Sequence, residues 1–209
     1  MFDQRIKRVR KKLREQKLDG LLVSSVPNIF YLTGITFFEP TEREGFFLVT
    51  RDKNYLITSS LYSEAVQQHL GDATLLETTI NRSIKKNLKD VSKKFPLKKV
   101  GFEEDSLTVS EYADFRKLFT LFPSKGMIER FRSQKDEDEI EKIKRASQVT
   151  DQAFDHILKK IHEGVTEIEL SHQLSDFFKT KGMTDAFNPV IAFGPHSSLP
   201  HHISGSTKL

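Results

Sequence analysis

The strongest constraint on what this chain can fold into is a change of hydrophobic rhythm along its length. Over residues 1–130, short apolar runs alternate with stretches of helical period. Phe2, Ile6, Val9 and Leu13 recur at the three- and four-residue steps of a helix face, with Arg5, Lys7, Arg8, Lys11 and Lys12 between them. Asp19-Gly20 stops that helix, and residues 21–24 form a short buried strand. Pro27-Asn28 opens a helical turn over 29–32, closed by Gly34. Residues 46–49 and 55–57 predict two strands around a polar turn of hairpin length. Next come a helix over 61–69, a strand over 73–76, a helix over 82–95, a strand over 100–102 and a helix over 110–119. Thr108 and Glu111 match a capping box before the last of these. Residues 127–131 read as a final extended piece. Alternation of this kind predicts an α/β layer, a mixed sheet covered by helices.

The rhythm changes at Ser133. Asp136, Glu137, Asp138 and Glu139 crowd the first turn of a long helix, where negative charge suits the positive end of the helix dipole. Ile140, Ile143, Val149, Phe154, Ile157 and Ile161 continue along it to a stop at Gly164. Thr166 and Glu169 form a second capping-box match, opening a helix with Leu170, Leu174, Phe177 and Phe178 that ends at Gly182. Val190, Ile191 and Ala192 predict a strand, and residues 194–205 a polar loop. The domain boundary is therefore expected at 130, giving units 1–130 and 131–209 joined by a helical hinge.

The 209 residues contain no cysteine, which excludes a disulfide framework, a thiol nucleophile and a thiolate metal cluster. The longest apolar runs fall far short of the roughly 20 residues of a membrane-spanning helix. No secretory signal is visible. A cytoplasmic chain with no membrane partner is expected. Net charge is only +4. The basic residues of 1–20 and 82–99 are interleaved with apolar positions such as Ile84, Leu88 and Val91, so they read as solvated helix faces rather than a nucleic-acid surface. His69, His156, His162 and His172 lie in helical patterns and read as structural or solvent-facing. Phe46, Phe47, Phe102, Phe154 and Phe177 fall on core periodicities. Tyr31, Phe37 and Phe38 follow a turn, where exposed aromatics mark contact surfaces. His196, His201 and His202 crowd one loop, but their spacing is not that of a helical zinc pair and no nearby acid completes a site. No metal ligand is expected.

Two stretches resemble a known family. Residues 130–146, from Arg130-Phe131-Arg132-Ser133 to Lys144-Arg145-Ala146, resemble the hinge helix that opens the catalytic domain of pita-bread metallopeptidases. Residues 187–202, ending Leu199-Pro200-His201-His202, resemble the strand and loop of the same domain, in the version found in Xaa-Pro aminopeptidases and prolidases. Upstream, Asp19-Gly20-Leu21-Leu22-Val23 and Asn28-Ile29-Phe30-Tyr31-Leu32-Thr33-Gly34 are similar to the creatinase/prolidase N-terminal domain. Phe193 stands where the family has a small residue, and His196 where asparagine is common.

The resemblance implies an α/β fold: a creatinase-like N-terminal domain with a mixed sheet covered by helices, then the first part of an α+β pita-bread domain. It implies cleavage of Xaa-Pro bonds in short proline-containing peptides, a homodimer, and two divalent ions (Mn, Co or Zn). The family's metal ligands lie past the segment that matches residues 187–202, so none is ligated by this chain, which is expected to be inactive alone. His201 matches the histidine that faces the substrate, implying a catalytic hydrogen bond to the tetrahedral intermediate. His202, Tyr31 and Phe37 are expected to contact substrate. The other reading is a non-catalytic peptide- or protein-binding module of the same fold.

Overall fold

The structure, a computed structural model, describes residues 2–209. It divides into two units, one ending at Gln134 and the other running from Lys135 to Leu209.

In the first unit the chain builds α1 (Phe2–Glu15), β1 (Gly20–Val23), α2 (Val26–Thr33), β2 (Gly45–Thr50), β3 (Asn54–Ser59), α3 (Ser63–Gln67), β4 (Thr74–Thr78), α4 (Ile84–Lys94), β5 (Lys99–Phe102), α5 (Val109–Phe115), β6 (Thr120–Pro123) and α6 (Met127–Ser133). The six strands form one sheet in the order β4-β3-β2-β1-β5-β6. β1, β2 and β3 pair antiparallel, while β3–β4, β1–β5 and β5–β6 are parallel. Both faces are covered, which is why β1 and β2 are continuous apolar runs rather than alternating ones. Leu21, Val23, Phe47, Val49 and Leu56 point to one face, against Ile6, Val9 and Leu13 of α1 and Ile29 and Leu32 of α2. Leu22, Phe46, Leu48, Tyr55 and Ile57 point to the other, against Leu88 and Val91 of α4 and Phe115 of α5. The period-two split of neighbouring residues between these two clusters is the pleat itself.

Two short elements differ from expectation. Residues 127–131 are helical, not extended: Met127, Ile128 and Phe131 form one buried helical face. β6 was not expected at all. It is an edge strand with little buried surface, and it ends in Pro123, which an edge tolerates because no neighbour needs its N–H. Tyr31 and Phe38 are also not exposed loop aromatics, although Phe38 does lie in the loop after α2. Tyr31 lies in α2 and is 6% exposed, and Phe38 is 3% exposed.

The second unit contains α7 (Glu137–Leu158) and α8 (Glu167–Thr180), each opened by a complete capping box, Asp136 with Glu139 and Thr166 with Glu169. Val149, Ala153 and Ile157, spaced four apart, are the buried face of α7. Phe154, expected in the core, is 60% exposed, because within this unit α7 buries only that narrow stripe. Ile157, Val165 and Leu170 form a small cluster, with Leu174, Ile191 and Phe193 against it. Val190, Ile191 and Ala192 do not form a strand. Ser204 occupies the place of a strand neighbour: its hydroxyl accepts from the Ile191 N–H at 2.9 Å and donates to the Ile191 carbonyl at 3.0 Å. A short 3-10 turn spans Gly194–Ser198.

Candidate functional site

The chemistry-bearing residues of the second unit converge on the first turn of α8. A helix N-terminus leaves backbone N–H groups without internal partners. Here the chain's last residues return to meet them: the N–H of Glu167 donates to Thr207 O at 3.0 Å, and that of Ile168 to Gly205 O at 2.9 Å. Gly164 and Val165 exchange backbone hydrogen bonds with Leu209 in the same ladder. The return brings the loop over residues 193–205 alongside the Glu167 side chain.

Glu167 is wholly buried and its carboxylate accepts from four donors. Oε1 accepts from the Phe193 N–H and His196 Nδ1, both at 2.9 Å. Oε2 accepts from His202 Nε2 at 2.8 Å and the Gly205 N–H at 3.0 Å. The two imidazoles lie against one another, ring centroids 4.4 Å apart. Burial alone would push the carboxyl toward its neutral form. The hydrogen bonds from His202, from the Phe193 and Gly205 backbone and from His196 outweigh it, holding Glu167 far below the ordinary carboxylate range.

His201, the expected catalytic residue, sits between these anchors with φ of 57°, a left-handed conformation uncommon outside glycine. Its imidazole makes no hydrogen bond to any described residue. It faces an open pocket of about 700 Å³, whose wall includes Ile168, Phe187, Pro189, Val190 and Ile203, with Ser171, His172 and Ser175 from α8. His202 shares that wall, but its Nε2 is committed to Glu167. The other two expected substrate contacts lie in the first unit. Tyr31 is packed under the Arg5 guanidinium, 4.1 Å from the ring centroid. Phe37 stacks on Tyr62 and meets Phe38 and His69 edge-on.

The structure corrects one point about the histidine loop. An acid does complete the cluster: Glu167, His196 and His202 present ligand-type atoms within 4.8 Å of one another. Glu167 stands 29 and 35 positions from the two histidines, so no local spacing announces it. The only hint in the sequence is that it adjoins the capping box of α8, where glutamates are common for other reasons. Phe193 and His196, the two unusual loop residues, are also accounted for: the phenyl ring packs on the Ile157–Val165–Leu170 cluster and the imidazole on Glu167.

Comparison with known proteins defines the class. The model of the creatinase/prolidase N-terminal domain matches residues 5–134, and that of metallopeptidase family M24 matches residues 141–209. The chain therefore belongs to the creatinase/prolidase N-terminal domain family, here continued by the beginning of an M24 metallopeptidase domain. Among relatives, it is 28% identical over 204 residues to the uncharacterised peptidase YqhT of Bacillus subtilis, covering 96% of this chain and 56% of that protein. Among solved structures, it matches an Xaa-Pro dipeptidase from Bacillus anthracis with a TM-score of 0.85 at 28% identity, covering 100% of this chain and 58% of that one. The fold also matches an X-Pro aminopeptidase from Thermotoga maritima, with a TM-score of 0.82 at 24% identity over 98% of this chain and 57% of that one. The chain thus spans little more than half the length of these relatives.

Membership of a metallopeptidase family implies divalent ions. The donor set among the described residues does not fit a two-ion cage. A single carboxylate is present, and each of its oxygens already accepts one backbone N–H and one imidazole. Among the described residues, no helix is long and apolar enough to cross a membrane.

Proposed function

We propose that the polypeptide carrying this chain is a metal-dependent peptidase cleaving Xaa-Pro bonds in short peptides, of the aminopeptidase P or prolidase type. The observation that carries this reading is the partnerless His201 imidazole, presented on an anchored loop to an open pocket. Amide cleavage needs the developing oxyanion to be met by a fixed donor, and an imidazole can donate in either protonation state near neutral pH. In this reading His201 donates to the scissile carbonyl. The Phe187, Pro189 and Val190 wall accepts the apolar ring of a prolyl residue. His202 shapes that wall from its bond to Glu167. Tyr31 and Phe37 pack inside the first unit, and this reading gives them no substrate contact.

The ions, whether Mn, Co or Zn, and their carboxylates belong in this proposal to further polypeptide. The match to only 56–58% of the relatives' length supports it. So do Ile140, Ile143 and Phe154, apolar side chains exposed on α7. A homodimer in the cytoplasm completes the proposal. The test is hydrolysis of an Xaa-Pro dipeptide and an Xaa-Pro-Xaa tripeptide with Mn(II) added. The full-length polypeptide should cleave at least one, and the 209-residue chain neither. Cleavage by neither protein, with the family's metal ligands substituted in the further polypeptide, would favour a non-catalytic binding module instead.

A further inference from the structure

We propose that Glu167 is the positioning residue for His201, a single carboxylate that holds both ends and two internal points of the loop presenting the imidazole. Phe193 and Gly205, where the loop enters and leaves, donate their backbone N–H groups to it. His196 and His202 donate from within. His202 is the covalent neighbour of His201, so fixing its ring restrains, through the planar peptide between them, the backbone from which His201 projects. The left-handed backbone at His201 is the kind of conformation that persists only where the surroundings over-determine it. Glu167 itself is immobilised as the first residue of α8, with its own N–H tied to Thr207. With both oxygens saturated, the carboxylate has no lone pair left for an ion.

This inference rests on the reading that His201 touches substrate, so its test has a kinetic arm and a structural arm. Glu167→Gln keeps the size of the side chain but replaces one acceptor by a donor, which must face either Phe193 and His196 or Gly205 and His202. In the full-length polypeptide with Mn(II), E167Q should lower kcat about 100-fold, as loosening of about 1 Å at a reacting group does, with KM nearly unchanged. In a His201→Ala background the same change should have no further effect, because Glu167 acts through His201. Additive losses would show a merely structural role and overturn the proposal.

The structural arm needs no activity. Imidazole N–H signals of His196 and His202 should be visible by NMR in the wild type, and the one that meets the new amide donor should be lost in E167Q, with faster amide exchange over residues 200–204. Unchanged exchange would overturn the proposal, as would stoichiometric Zn(II) binding that moves both imidazole signals. Failure of the wild type to cleave any Xaa-Pro peptide would sink the peptidase reading while leaving this arm decisive. If E167Q does not fold, His196→Ala, which removes one donor from a partly exposed side chain, should cost roughly tenfold in kcat with the same non-additivity.

Discussion

Asn28 shows how a motif residue can look functional and be structural. It is fully buried, its Nδ2 donates to Glu103 and Glu129, and its Oδ1 accepts from Arg132 at 3.0 Å. Glu103 in turn accepts the Ser24 and Ser25 N–H groups at the start of α2. Asn28→Ala would take a donor from the buried Glu103 and partners from the more exposed Glu129 and Arg132, at a cost of about 2 kcal/mol. The check is a lower urea midpoint with an unchanged m-value. The two buried glutamates respond to pH with opposite sign. Burial raises Glu103 above its ordinary 4.5, against the bonds from Asn28, Ser25 and Ser24. Its contribution to stability is therefore fullest below 4.5 and declines as pH rises through the folded value. Glu167 is held below 4.5, so its contribution is full above that value and is lost on acidification. Acid should weaken the second unit through Glu167 while relieving the first through Glu103. Titrating downward from about pH 5 should weaken amide NMR signals of residues 164–205 before those of the sheet. Loss of the sheet signals first would contradict these assignments.

Elements end where local chemistry ends them, and that chemistry was largely visible beforehand. Thr108 with Glu111 and Thr166 with Glu169 are capping boxes in the structure as in the sequence. Thr166→Ala should cost about 1 kcal/mol, measured as a lower melting temperature with the sheet unit unaffected. Gly34 closes α2 with φ of 80°, and a Cβ there would lie 2.6 Å from the Phe2 ring. Gly34→Ala should cost about 1–2 kcal/mol by chemical denaturation. The elements that escaped detection are short or marginal. β6 is held by its pairing with β5, not by a buried face of its own, and α6 is only seven residues long. Both draw their identity from a neighbour, so pattern alone is a weak guide to them.

At the scale of the molecule, each unit has its own apolar cluster. Residues 1–134 expressed alone should therefore melt cooperatively, and a broad, non-cooperative transition by circular dichroism would refute this. The α/β class and most elements of the sheet unit were legible because they depend on periodicity and caps, which are properties of local chain, whereas the histidine loop was legible only through its resemblance to the family. The resemblance pointed to His201 but not to what holds its loop. Glu167 meets His196 and His202 across 29 and 35 positions, and Tyr31 is buried under Arg5 from another helix. Contacts of that range carry no local period, so which carboxylate anchors the loop, and which aromatics are buried, was decided only when the chain folded back on itself.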